Sequence, residues 1–117
     1  MRITFYGKQK AKKVRKILWE SNRFCHWCKR ETVLLEDFKY ERGGPKPPPN
    51  MATIEHLYSR LSSVPRKPKN EKVIACEECN QKRARLENKI FKLLAGLGYK
   101  KIPPNIYEKI NARMKQQ

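Results

Sequence analysis

The chain has 117 residues, of which 38% are apolar and 33% are charged. This length suits one small domain, and no stretch approaches the roughly 20 apolar residues that are needed to cross a bilayer. Lysine and arginine outnumber aspartate and glutamate by 28 to 11, which gives a formal net charge of +17. Such a charge favours nucleic acid, because binding a polyanion releases condensed counterions. A solvated cationic surface or an anionic membrane surface is the alternative, although membrane-surface helices usually carry a large apolar face.

The amino-terminal segment predicts a basic amphipathic helix over residues 8–22. Its apolar residues recur at helical spacing and form one thin stripe: Ala11, Val14, Ile17 and Leu18. No apolar run follows the first charges, so the sequence shows no secretory signal. We therefore expect a soluble, cytoplasmic protein.

Four cysteines form two Cys-x-x-Cys pairs, Cys25 with Cys28 and Cys76 with Cys79. Two such pairs supply the four thiolates of a tetrahedral structural zinc site. Disulfides or free thiols are the alternative. The spacing and the absence of a secretory signal favour zinc, which would also stabilise a domain with a small core.

Between the two cysteine pairs, the pattern alternates between strands and loops. In chain order it predicts a short strand over 32–40, an exposed loop over 43–50, a strand over 51–57, a long loop over 58–69 and a second short strand over 72–75. The first loop is rich in proline, which removes backbone donors and favours extended geometry. The strand 51–57 carries the adjacent residues Glu55 and His56.

Two helices are predicted after the second pair. The apolar face of the first helix comprises Leu86, Ile90, Leu93, Leu94 and Leu97. Gly96 and Gly98 end this helix. Asn105, with Glu108 three residues later, predicts the capped start of a helix over 105–117. Without internal repeats, we expect one α+β domain over 1–117, with its core at 51–97.

Glu55, His56 and Asn80 carry groups suited to phosphodiester hydrolysis. Zinc bound by the two cysteine pairs would bring these three residues near one another. The carboxylate and the amide oxygen suit Mg²⁺ or Mn²⁺, and imidazole suits a general base. Alternatively, His56 is a surface or core histidine or a zinc ligand, and Asn80 caps the following helix.

The order of these features resembles the HNH nuclease family, whose core is a two-stranded hairpin and a helix around one metal ion. The residues that carry the resemblance are Cys25, Cys28, Ala52–Leu57, Asn70 and Val73–Asn80. The resemblance implies a zinc-stapled ββα-metal core with flanking basic helices, and a metal-dependent DNA endonuclease. It implies that His56 deprotonates water, that Glu55 and Asn80 bind the catalytic ion, and that Asn70 holds the long loop.

Four basic residues lie near the predicted site and are expected to contact phosphates of double-stranded DNA: Arg60, Lys82, Arg83 and Arg85. The solvated face of a helix and loop is the alternative. One site per chain predicts one nick per encounter by a monomer or weak dimer. By analogy, such a nuclease fits a phage, a mobile element or a bacterial defence system. The alternative function is a non-catalytic zinc-ribbon protein that binds nucleic acid through its charge.

Overall fold

The computed structural model describes residues 2–63 and 71–116, with side chains from residue 10 onward. In these ranges the chain forms three helices and one two-stranded antiparallel sheet, so the predicted α+β class is confirmed. In chain order the elements are α1 (Arg2–Ser21), β1 (Ala52–His56), β2 (Lys72–Cys76), α2 (Glu77–Gly96) and α3 (Pro104–Lys115). Asn70 lies outside the described residues. No helix in the described part of the chain is long and apolar enough to span a membrane.

The two strands form a hairpin that leads directly into α2. Ile54 of β1 pairs with Ile74 of β2, and the last residue of β1, His56, pairs with Lys72. Cys76 ends β2 and is also the N-cap of α2, where its sulfur accepts a hydrogen bond from the amide of Cys79. A sulfur atom thus does the capping that an Asn or Ser side chain usually does.

The hairpin packs against two helices. Both α1 and α2 contact both strands, and α3 packs on α2. One buried cluster surrounds the cysteines and the second joins α2 to α3. Their buried members are Cys25, Trp27, Ala75, Cys76, Cys79 and Met114 in the first, and Leu94, Ile102, Tyr107 and Ile110 in the second.

The predicted strand over residues 32–40 is wrong. Only Val33 makes a strand-like bridge in this segment, to Met51, and turns follow it. Ion pairs hold the segment against α1, from Lys12 to Asp37 at 2.9 Å and from Lys16 to Glu36 at 3.9 Å. Two of its apolar side chains, Val33 and Leu35, are exposed, so the segment does not extend the sheet.

Two details of the predicted carboxyl-terminal helices also change. The helix expected to begin at Asn105 begins at Pro104, and no side chain caps it, because proline is already suited to the first helical position. Leu93 of α2 and Leu97, just after its end, are 68% and 76% exposed, although both were predicted to lie on the apolar face of this helix. The predicted end of α2 holds: the helix stops at Gly96, and Gly98 adopts a positive φ of 95° just beyond it.

Candidate metal centre and nucleic-acid site

The four cysteines lie in one cluster, with their sulfur atoms all within 4.8 Å of one another. None forms a disulfide, and the sulfurs of Cys28 and Cys76 are 3.8 Å apart. Zinc–sulfur bonds of about 2.3 Å in a tetrahedron place sulfurs about 3.8 Å apart. The cluster can therefore hold a metal such as zinc.

Short-range hydrogen bonds shape this cluster before any metal binds. The amide of Trp27 donates to the sulfur of Cys25 at 3.4 Å, and the amide of Cys79 donates to the sulfur of Cys76 at 3.4 Å. Lys29 has a positive φ of 68°, which turns the chain back so that its amide donates to the carbonyl of Cys25. These contacts are typical of a folded Cys-x-x-Cys turn.

The cluster joins three parts of the chain. Cys25 and Cys28 come from the segment after α1, Cys76 from the end of β2, and Cys79 from the first turn of α2. In addition, the amide of His26 donates to the carbonyl of Ile74 at 2.9 Å. A bound metal would therefore hold the junction between hairpin and helix against the amino-terminal segment.

Two side-chain contacts connect α2 to one face of β1. Thr53 and Glu55 share a face of the strand because alternate residues point the same way. The amide nitrogen of Asn80 donates to the hydroxyl of Thr53 at 3.0 Å. One helical turn later, Arg83 donates to Glu55 at 2.9 Å. Glu55 and Asn80, both predicted metal ligands, thus lie in the same interface between strand and helix.

Arg83 is buried in the interior, with only 3% of its side chain exposed. Each of its five N–H donors has an acceptor: the Glu55 carboxylate, the carbonyls of His56 and Leu57, the Asn111 side chain and the Tyr107 hydroxyl. Its guanidinium also lies 5.2 Å from the ring centres of Trp27 and Tyr107. The prediction that Arg83 contacts phosphates is therefore wrong, because no donor remains for a phosphate.

Glu55 uses one carboxylate oxygen and leaves the other without a hydrogen bond. Oε1 accepts from Arg83 at 2.9 Å, whereas Oε2 is buried and makes no hydrogen bond of that quality; the indole N–H of Trp27, itself buried and unpaired, interacts more weakly with this carboxylate and lowers its pKa. Burial raises the pKa of Glu55 to about 7, although the positive charge of Arg83 opposes this shift. A buried, unpaired carboxylate oxygen is costly, and a cation bound there would offset that cost.

His56 lies at the end of β1, where its side chain is half-buried. Neighbouring residues on a strand point to opposite faces, so the imidazole and the Glu55 carboxylate leave the strand in different directions. The carbonyl of His56 accepts a hydrogen bond from Arg83, which fixes the backbone on which the imidazole is carried.

Asn80 lies inside α2, three residues after its start at Glu77, so the capping alternative for Asn80 is wrong. Its amide nitrogen is bonded to Thr53, and among the described residues its amide oxygen accepts no hydrogen bond. Asn80 also lines a cleft of about 360 Å³ between α1, β1 and α2.

The remaining predicted phosphate contacts lie on the surface. Arg60, Lys82 and Arg85 are all exposed, on the loop after β1 and on α2. The sequence did not identify Tyr107 and Asn111 of α3, which complete the surroundings of Arg83. The position of Arg83 one helical turn after Asn80 was the signal that could have placed it in the same interface.

Comparisons of the chain with protein-family models, with curated proteins and with solved structures found no match. The resemblance to HNH nucleases therefore stays a hypothesis from the sequence. Function has to be inferred from the geometry and charge of the site.

Proposed function

We propose that the protein is a metal-dependent DNA endonuclease of the HNH type, with a ββα-metal core formed by β1, β2 and α2. One observation carries the proposal. Glu55 and Asn80 lie in one strand–helix interface next to the cysteine cluster, and Glu55 keeps a buried oxygen without a hydrogen bond. The net charge of +17 supports DNA as the substrate.

A catalytic divalent ion fits the donor set of this interface. Glu55 offers a charged oxygen through Oε2, and Asn80 offers a neutral oxygen through its amide, a combination that Mg²⁺ and Mn²⁺ accept. When bound, such an ion polarises the phosphoryl group and stabilises the leaving alkoxide. We propose zinc as the separate, structural metal of the four cysteines.

The side chains of the protein would divide the remaining work. His56 lies at the strand end, where a phosphate between the ion and the imidazole would let it remove the proton from the attacking water. Arg83 holds the His56 and Leu57 carbonyls so that the strand end does not shift. The exposed Arg60, Lys82 and Arg85 hold flanking phosphates. Hydrolysis would leave 5′-phosphate and 3′-hydroxyl ends, as the resemblance implies.

Plasmid nicking tests this proposal. We expect wild-type protein, loaded with zinc, to nick supercoiled DNA in Mg²⁺ or Mn²⁺ and to stop in EDTA. His56→Ala should lose at least about 100-fold in rate, because general-base catalysis contributes that much or more, while it still folds and binds DNA. His26→Ala is the matched control, since it removes the other of the two histidines of the chain. Equal nicking by wild type and His56→Ala would contradict the proposal.

A second function, non-catalytic nucleic-acid binding by a zinc-ribbon protein, is favoured by the Glu55–Arg83 pair. A buried carboxylate bonded to a buried guanidinium can serve packing alone. This function predicts DNA binding that is unchanged in Asn80→Ala and no cleavage in any metal. The nuclease proposal also predicts that Asn80→Ala binds DNA like wild type. It differs in predicting that wild type cleaves DNA and that Asn80→Ala does not.

A further inference from the structure

One basic residue of α1 differs from its neighbours. Lys12 and Lys16 each pair with a carboxylate, on Asp37 and Glu36 respectively. Arg15 is half-buried, forms no ion pair within the described residues, and its Nε is buried without a hydrogen-bond partner. A partly buried guanidinium without a close ion pair is costly, and a bound anion would offset that cost.

Arg15 lines the same cleft as Asn80. The cleft lies between α1, β1 and α2, and its polar lining residues are Arg15, Tyr40, Thr53, Glu77, Asn80 and Gln81. Its volume of about 360 Å³ is within the range of sites that bind a nucleotide-sized ligand. The Arg15 guanidinium therefore shares one cleft with a predicted metal ligand.

The acidic residue of this cleft is already satisfied. Glu77 accepts from the hydroxyl of Tyr40 at 2.9 Å through one oxygen and from the side-chain amide of Gln81 at 3.0 Å through the other. Both donors are neutral, and Arg15 forms no ion pair with this carboxylate. The guanidinium of Arg15 is therefore not ion-paired within the described residues, and the charge of Glu77 acts in the same cleft, where Glu77 raises and Arg15 lowers the pKa of Tyr40.

We propose that Arg15 binds a backbone phosphate of the nucleic acid in this cleft, next to Asn80. A guanidinium presents paired N–H donors that match two phosphate oxygens, which a lysine does not. The inference rests on the proposed function in that the phosphate would neighbour the bond to be cut. It assigns α1 a direct role in binding the substrate, on the side of the cleft opposite α2.

A titration with thymidine 3′,5′-bisphosphate tests the assignment without any cleavage. The zinc-loaded protein is followed by ¹H–¹⁵N spectra with no Mg²⁺ or Mn²⁺ added. We expect the largest shifts at Thr53 and Asn80. Arg15→Gln should weaken binding about tenfold, as for the loss of hydrogen bonds to a charged group. Lys13→Gln, which removes one charge from an exposed position of the same helix, should bind like wild type.

Equal weakening in Arg15→Gln and Lys13→Gln, or shifts that lie away from Thr53 and Asn80, would overturn the assignment. The same spectra report whether Arg15→Gln is folded. If Arg15→Gln does not fold, Arg15→Lys takes its place, and we expect Arg15→Lys to bind with intermediate strength. The outcomes separate the two proposals. If binding depends on Arg15 but the protein does not cut DNA, only the nuclease proposal is contradicted. If the protein cuts DNA but binding does not depend on Arg15, only this inference is contradicted.

Discussion

At the scale of single residues, the neighbours Lys82, Arg83 and Arg85 have different environments. All three were predicted to contact phosphates, but Arg83 is buried and bonded to Glu55, while the other two are exposed. Residues on a helix point about 100° apart, so neighbours in sequence can face the core and the solvent. The sequence predicted Glu55 as a site residue but did not predict that it pairs with Arg83.

Glu55 should make stability depend on pH. Its pKa is raised from 4.5 to about 7 because it is buried. The folded state therefore binds this proton more tightly than the unfolded chain, and the stabilisation from protonation is complete below pH 4.5 and lost as pH rises to about 7.

Glu55→Gln, which stays neutral, should lack this dependence. Between pH 4.5 and about 7 the wild type loses stability that the variant does not lose. The free energy of unfolding of the variant minus that of the wild type should therefore rise by on the order of 3 kcal/mol over this range. Urea denaturation between pH 5 and 7.5, with saturating zinc and no other divalent ion, measures the difference. A difference that stays flat with pH would contradict a raised pKa.

At the scale of secondary-structure elements, the cysteine cluster and the apolar face of α2 position the site. The cluster brings together the segment after α1, the end of β2 and the start of α2. The Cys-x-x-Cys spacing predicted this grouping because the ligand geometry of zinc requires it. Helical periodicity predicted α2. It did not predict which part of the apolar face of α2 is covered by α3.

Removal of the metal should unfold the chain. Structural zinc contributes on the order of 10 kcal/mol, which is comparable to the whole stability of a small domain. A zinc chelator, or Cys28→Ser, should therefore abolish the cooperative thermal transition measured by circular dichroism, and with it nicking activity. Added zinc should restore the chelated wild type but not the variant. A transition unchanged by the chelator would contradict the metal's role.

Two adjacent leucines of α2 should differ in their contribution to stability. Leu94 is 9% exposed and packs in the cluster between α2 and α3, whereas Leu93 is 68% exposed. Leu94→Ala should lower the free energy of unfolding by about 2–5 kcal/mol, and Leu93→Ala should change it by less than about 0.5 kcal/mol. Denaturant unfolding of both variants measures this, and equal losses would show that the α2–α3 packing is wrong.

At the scale of the whole molecule, the charge of +17 is the dominant property. Exposed basic residues lie on α1, on α2 and on the loop after β1, while four of the carboxylates pair with basic residues at the surface. We therefore expect the field of the molecule to attract a polyanion before any specific contact forms, and we expect salt to screen that contribution.

Affinity for duplex DNA should fall steeply with salt. If six or more phosphates are contacted, the association constant should drop at least about 1,000-fold between 50 and 200 mM salt. Fluorescence anisotropy with His56→Ala measures binding without cleavage. Arg85→Ala should reduce the slope of log K against log salt by about one. Affinity independent of salt would show that charge does not drive binding.

The sequence by itself determined the α+β class, the grouping of the cysteines, the two helices after them and the net charge of +17. Each of these follows from spacing, periodicity or composition, which are local or additive properties of the chain. The tertiary structure decided which basic residue is buried, which leucines of α2 face α3, and that Arg15 shares a cleft with Asn80. These depend on which faces of distant elements meet, and residues such as Arg83 and Asn111 carry no local pattern that specifies their partner.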